Sequence, residues 1–198
     1  MREKNSREAI LKCALELFSQ KGYEAVSPNE IVEKVGITKP TLYYFFGSKE
    51  GLFDELLKVN YAKLDDLLTE ACKYVPNIDH YHEDVYPVLL RIANTVFDFA
   101  KDNSAFYLMS LSMSISPPSS KTAIVSEKYI KNHYALLEQT FRDISATHGN
   151  LKGKEQISAS YFLAMINAQI GFWFRGYGCL DTKAAHSIVA NFMHGIFS

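Results

Sequence analysis

Between Thr38 and Tyr44 the chain places an amine, two threonine hydroxyls and two phenols, on Thr38, Lys39, Thr41, Tyr43 and Tyr44. If this run is helical, Leu42 and Phe46 share one face, four residues apart. Lys39, Thr41, Tyr43 and Tyr44 are then left toward solvent or a partner. These groups suit DNA. Lys39 can hydrogen-bond a guanine edge or pair with a phosphate. The Thr41 methyl can touch a thymine methyl while its hydroxyl bonds a base or phosphate. Tyr43 and Tyr44 can donate to phosphates, which positions a helix without reading sequence. Helix starts at Ser27, Thr38 and Ser48 add unpaired backbone N–H groups for phosphates, and Lys49 brings charge to the last of them.

The elements that hold these residues are spelled out by local signals. Ile10, Ala14, Leu17 and Phe18 share a face of a first helix, expected over about Ser6 to Gln20. Gly22 ends it, and Tyr23 can fold back on Phe18. Ser27 caps the second helix, with Pro28 at its first position, Glu30 at its third, and Val26 and Ile31 at staple spacing. Gly36 interrupts that helix, and Thr38 caps a third with Pro40 in its first turn. Gly47 ends the third helix and Ser48 caps a fourth, expected to run to about Tyr74, before Pro76. Two helices joined by a tight glycine turn form a DNA-binding helix–turn–helix. Its small core is Ile31, Val35, Ile37 and Leu42. A second helix about 12 Å long suits a major groove of about the same width.

Catalytic alternatives find little support. The chain carries no nucleophile motif, phosphate loop or paired catalytic carboxylates, so it does not read as an enzyme. His80-Tyr81-His82-Glu83-Asp84 is the one metal-like cluster. Histidines two apart share a face only in an extended segment, so the segment reads as a solvated loop that caps the next helix, and no metal or cofactor is expected. Cys13, Cys72 and Cys179 lie too far apart in sequence for metal-ligand spacing and read as ordinary thiols. A net charge of −1 argues against coating nucleic acid through bulk charge, but a specific reader needs only a local basic patch. No apolar run near the roughly 20 residues of a membrane span is evident. The start of the chain lacks a signal peptide, so no membrane partner and a cytoplasmic location are expected.

Helical periodicity dominates the remainder. After a polar stretch at 77–84, helices are expected over Val85–Lys101, Ser120–Thr147, Glu155–Tyr177 and Thr182–Phe197. Met109–Ser116 alternates apolar residues with serine, a strand pattern, yet Leu108, Leu111 and Ile115 also fit a helix face. A lone strand would lack a backbone partner, so the segment is assigned as helix ending before Pro117. The expectation is an all-α protein of about nine helices. Residues 1–47 form a three-helix DNA-binding domain, and 48–198 form a helical domain entered through a linker helix over 48–74.

The run Gly36-Ile37-Thr38-Lys39-Pro40-Thr41-Leu42-Tyr43-Tyr44-Phe45-Phe46-Gly47-Ser48-Lys49-Glu50-Gly51-Leu52-Phe53, with Gly22-Tyr23 and Ile31-Val32 before it, closely resembles the TetR family of regulators. The resemblance covers about residues 7–60. It implies DNA contacts from Ser27 or Pro28, Thr38, Lys39, Pro40, Thr41, Tyr43, Tyr44 and Lys49. Two positions depart from the pattern. Phe45 stands where many members have histidine, and Pro40 stands where many have glycine. The Pro40 ring can touch a thymine methyl but cannot donate an N–H.

The resemblance also implies a C-terminal domain that binds a small effector and forms a homodimer, as befits a ligand-released repressor on a palindromic operator in double-stranded DNA. Small residues at Ser160, Ala164, Ala168 and Gly171 permit close helix approach. With Ile188, Phe192 and Ile196 they make a candidate dimer interface, a four-helix bundle across a two-fold axis. Phe97, Phe106, Tyr107, Met109, Met113, Tyr134, Met165 and Trp173 are candidate lining for an apolar or aromatic effector. Asp98 and Arg175 are charges in apolar surroundings, placed to meet a charged ligand or to reach the surface.

Overall fold

The computed structural model describes residues 2–149 and 151–195. Among them every regular element is a helix: α1 (Arg2–Lys21), α2 (Pro28–Val35), α3 (Lys39–Phe46), α4 (Lys49–Ala71), α5 (Tyr81–Asp102), α6 (Ser104–Ser114), α7 (Lys121–His148), α8 (Glu155–Phe174) and α9 (Thr182–His194). The all-α expectation holds. The serine-alternating stretch is α6, and its hydroxyls explain how a strand-like pattern is helical. Ser112 donates to the Met109 carbonyl at 2.7 Å, Ser114 to Leu111 at 2.7 Å and Ser116 to Ser112 at 2.9 Å. Each serine satisfies itself on the helix it belongs to.

The chain folds as two compact units. One comprises residues up to Tyr61 together with Asn103–Tyr129. The other comprises Ala62–Asp102 and the chain from Ile130 onward. Beyond α1–α3 the first unit takes in the start of α4, all of α6, against which α1 packs, and the start of α7.

In the first unit α1 packs on α2 and α6, and α2 packs on α3. Ile10, Ala14, Leu17 and Phe18 are buried, on the face that their spacing marked. Tyr23 does fold back on Phe18, and Phe53 of α4 completes an aromatic triad. Its ring centroids lie 5.4 Å (Phe18–Tyr23), 5.7 Å (Phe18–Phe53, edge-on) and 4.7 Å (Tyr23–Phe53) apart. Such pairs stabilise by about 0.5–1.5 kcal/mol each beyond their area.

In the second unit α5 packs against α8 and α9, and these pack on each other. Phe141, Phe162 and Phe192 form a second aromatic cluster, with centroids 5.1–6.1 Å apart. α4 ends at Ala71, earlier than its expected end at Tyr74. Arg91 of α5 caps it, donating from Nε to the Ala71 carbonyl at 2.8 Å and from its guanidinium to the Lys73 carbonyl. A cation at a helix C-terminus also complements the dipole.

α5 begins at Tyr81, four residues before its expected start at Val85, and carries Pro87 within its second turn. The proline removes one helical hydrogen bond. A buried polar cluster compensates by pinning the first turn. The Asp84 carboxylate, 3% exposed, accepts from the Tyr74 hydroxyl at 2.7 Å and the Asn77 N–H at 2.7 Å, and pairs with His148 Nε2 at 2.9 Å. The polar 77–84 segment is thus a short loop and the first turn of a helix. His80 and Glu83 meet only in an exposed contact at 4.0 Å.

Burial alone would raise the Asp84 carboxyl, but the hydrogen bonds from Asn77, Tyr74 and His148 together hold it below its ordinary value of 3.8. The Tyr74 phenol is pushed up to about 12 by burial and by donating to that carboxylate. A carboxyl depressed in the folded state stabilises fully above its unfolded pKa, and this contribution fades as pH falls through the folded value. Replacing it with Asp84→Asn is expected to cost about 1.5–3 kcal/mol at neutral pH. It should also flatten the loss of stability between about pH 5 and pH 2. Urea unfolding of both proteins across that range checks this, and parallel acid slopes would refute it.

Candidate nucleic-acid interface

The site rests on three caps in series. Ser27 Oγ accepts from the Glu30 N–H at 3.2 Å at the start of α2. Thr38 Oγ1 accepts from the Thr41 N–H at 3.4 Å at the start of α3, and meets the Thr41 hydroxyl at 2.9 Å. Ser48 Oγ accepts from the Gly51 N–H at 2.9 Å at the start of α4. Gly36 (φ 76°) closes α2 and Gly47 (φ 72°) closes α3, both in the left-handed region that glycine enters at least cost. Three residues therefore separate α2 from α3, and two separate α3 from α4.

Leu42 anchors α3, fully buried, beside buried Ile31 and Val32 of α2. Val35 and Ile37 are half-buried around it. Phe46 is also half-buried, with the Arg7 guanidinium 5.5 Å over its ring. The opposite face of α3 is bare. Lys39 and Pro40 are exposed, Tyr43 is 41% exposed and Tyr44 75%. Phe45 is half-buried and holds Tyr44 edge-on at 5.3 Å. The side chain that departs from the family pattern therefore supports the more exposed of the two α3 tyrosines.

Charge is arranged with economy. Lys21 pairs with Glu30, and Lys34 with Glu16 at 3.3 Å. Lys39 makes no ion pair among the described residues. Ser27 is exposed and Pro28 half-buried at the α2 start. Lys49 does not stand free: its ammonium lies 4.2 Å from the Tyr23 ring centroid. Burial pulls the Lys49 amine below its usual pKa. A phosphate contact from Lys49 competes with this cation–π contact, which is on the order of 0.5–2 kcal/mol.

The residues expected to line an effector site fall in both units. Phe106, Tyr107, Met109 and Met113 are buried in the first. Phe97 is buried in the second, where Tyr134, Met165 and Trp173 are half-buried. Asp98 and Arg175 reach the surface. Asp98 pairs with Lys101 at 2.7 Å, and Arg175 is exposed where it follows α8.

Of the expected dimer residues, Ala164 and Ala168 are exposed on α8, and Ser160 and Gly171 half-exposed. Within its own chain Ile188 is buried, and Phe192 is half-buried, edge-on to Phe141 and tilted on Phe162. Ile196 lies outside the described residues. Sequence reasoning also missed Ile157, Tyr161 and Phe172, which join Ala164 and Ala168 in an exposed stripe on α8. The repeat of apolar residues at three and four was the available signal. The expectation of no membrane-length apolar run is corrected as well: α8 is long and apolar enough to cross one by length and composition, and only 28% of its apolar window is buried.

Gly51 is a further residue whose role sequence reasoning missed. A Cβ there would fall 2.1 Å from the Phe46 carbonyl oxygen, so the last turn of α3 and the first turn of α4 close on a glycine. Gly51→Ala is expected to destabilise by about 1–3 kcal/mol through overpacking. The same change in an unobstructed helix stabilises by about 1 kcal/mol. The sign of the shift in thermal unfolding tests the close approach.

Comparison with known proteins places this geometry. Residues 10–56 match the family described as bacterial regulatory proteins, tetR family. The chain is 35% identical over 98 residues to the uncharacterized HTH-type transcriptional regulator YdgC of Bacillus subtilis, covering 50% of this chain and 49% of that one. It is 48% identical over 50 residues to the HTH-type transcriptional repressor BdcR of Escherichia coli, covering 25% of each. The matched stretch thus spans at most about half of these curated relatives. They are named as transcriptional regulators, not as enzymes. Among solved structures, a putative fatty acid metabolism regulator of Clostridium perfringens superposes with a TM-score of 0.78 at 19% identity, covering 96% of this chain and 99% of that one. The regulator FadR of Bacillus subtilis, in complex with stearoyl-CoA, superposes with a TM-score of 0.75 at 13% identity, covering 96% and 98%. These two share the fold.

Proposed function

We propose that the chain, whose residues 10–56 match the tetR family of bacterial regulatory proteins, is a member of that family and a dimeric repressor, freed from a palindromic operator by a small apolar molecule. The observation that carries this reading is the two-faced α3. Its Leu42 side is fully buried, while Lys39, Pro40, Tyr43 and Tyr44 stand bare on the other. In the proposed complex Lys39, Pro40 and Thr41 meet base edges at the start of the helix. Tyr43 and Tyr44 donate to phosphates, as do the N–H groups at the starts of α2 and α4. The two tyrosine hydroxyls and the backbone donors position, and Lys39 supplies charge. Such a protein works where the DNA is, in the cytoplasm.

The dimer follows from α8. One face packs into its own unit through Phe162, Leu163, Ile166 and Ile170. The other carries Ile157, Tyr161, Ala164, Ala168 and Phe172 uncovered. A helix apolar all round is buried on both sides. A second copy covers the second side symmetrically, and the alanines let the two helices approach closely. Two copies then hold their α3 helices about 34–36 Å apart, one DNA turn. The repressor sign is supported by relatives named as a repressor and as a negative regulator. For the effector, support comes from the fold relative that holds stearoyl-CoA and from the aromatic and methionine content of the second unit. An effector that prefers a different spacing of the α3 pair weakens DNA binding by population shift.

Footprinting on the DNA upstream of the gene is expected to protect an inverted repeat; protection of a single half-site or none would defeat the proposal. Lys39→Ala should weaken binding by about 1–3 kcal/mol. If Lys39 pairs with a phosphate, the salt slope also falls by about 1; if it reads a base, the slope is unchanged and discrimination at that position relaxes. Tyr43→Phe should weaken all sequences alike. Ala164→Glu and Ala168→Glu should convert a dimer to a folded monomer in light scattering, with operator affinity lost alongside. A wild type that is monomeric at all concentrations removes the α8 assignment and leaves the α3 assignment standing.

A further inference from the structure

The first unit holds a half-open cavity of about 310 Å³. One wall is the aromatic triad of Phe18, Tyr23 and Phe53, and the facing wall is formed by Met109 and Met113 of α6. The cavity is therefore walled by rings and thioethers, the side chains that accommodate flat apolar molecules best. Its size lies at the lower end for small-molecule sites. Hydroxyls stand at the edge. Ser112 already donates to the Met109 carbonyl, which leaves its oxygen free to accept, and Thr122 of α7 shares a hydrogen bond with Ser120 at 3.1 Å. Charge around the cavity is balanced: Lys21 is bridged to Glu30, and the Lys49 ammonium, 4.2 Å from the Tyr23 ring centroid, is offset by the Glu24 carboxylate, which favours a neutral ligand.

We propose that this cavity is a binding site for a small neutral aromatic molecule carrying one hydroxyl or N–H. The ring system lies between the triad and the two thioethers, and the polar group donates to Ser112 or Thr122. The site shares Met109 and Met113 with the expected effector lining, but it stands on the cavity of the first unit alone and does not depend on the effector reading above. Its walls give occupancy a mechanical consequence. The triad belongs to the α1–α2 turn and α4, and the methionines to α6, so a bound molecule ties α6 to the turn that precedes the DNA-facing helix pair.

The methionines make the test site-specific. The chain has five, of which Met109 and Met113 line the cavity and Met165 and Met193 lie on α8 and α9. The full chain, labelled with ¹³C-methyl methionine and assigned by single Met→Leu variants, is titrated with 2-naphthol without DNA. The expected result is saturable ring-current shifts at Met109 and Met113. Ser112→Phe and Thr122→Tyr, which plug the cavity from different helices, should each weaken those shifts about tenfold or more in apparent affinity, with the helical circular dichroism unchanged. No shift at Met109 and Met113 up to the solubility of the probe overturns the proposal. So do shifts confined to Met165 or Met193, or shifts at Met109 and Met113 that survive both plugs.

Discussion

The DNA-facing surface depends on one constraint: α3 is eight residues long and cannot hold itself. A helix of that length is marginal in water. It persists here because Leu42 is fully buried, because Thr38 caps one end, and because Gly47 and Gly51 let α4 turn away within two residues. Everything needed for order sits on one face or at the ends. The remaining face is released from structural duty, and Lys39, Tyr43 and Tyr44 occupy it at low cost to the fold.

The same economy extends outward. α1 covers α2, and the triad of Phe18, Tyr23 and Phe53 fixes the turn between them to the start of α4. Tyr61 of α4 then lies edge-on to Phe106 of α6 and stacked on Tyr129 of α7, with its hydroxyl 2.8 Å from Ser110. Tyr129 in turn donates to the Asp54 carboxylate at 2.9 Å. The recognition helices thus belong to a cooperative unit larger than the helix–turn–helix, and α4 and α7 leave that unit as continuous helices. Coupling between a sensor and DNA requires elements that both sites can bias, and continuous helices are the simplest such elements.

Much of this was legible in the sequence, for a physical reason. Caps, glycine stops and helix periodicity act over three to eight residues, so Ser27, Gly36, Thr38 and Gly47 declared themselves. Contacts between distant segments did not. The start of α5 was misplaced because Asp84 is held by Tyr74 and by His148, 64 residues away. The α9 pattern marks an apolar face without saying what packs on it; for Phe192, Phe141 and Phe162 of the same chain do. The α8 stripe failed in the opposite sense. Attention to small residues found Ala164 and Ala168 and passed over the larger Ile157, Tyr161 and Phe172 around them.

A net charge of −1 is compatible with binding DNA once the donors are separated by kind. Lys21 pairs with Glu30 and Lys34 with Glu16, and Lys49 rests on Tyr23. The tyrosine and threonine hydroxyls and the helix N-termini are neutral donors. They add phosphate hydrogen bonds without counterion release, whereas each lysine–phosphate pair adds about 0.9 to the salt slope. In the proposed complex, affinity built this way would depend on geometry more than on charge. For a DNA-binding protein among a vast excess of competing sites, low nonspecific affinity raises the specificity ratio.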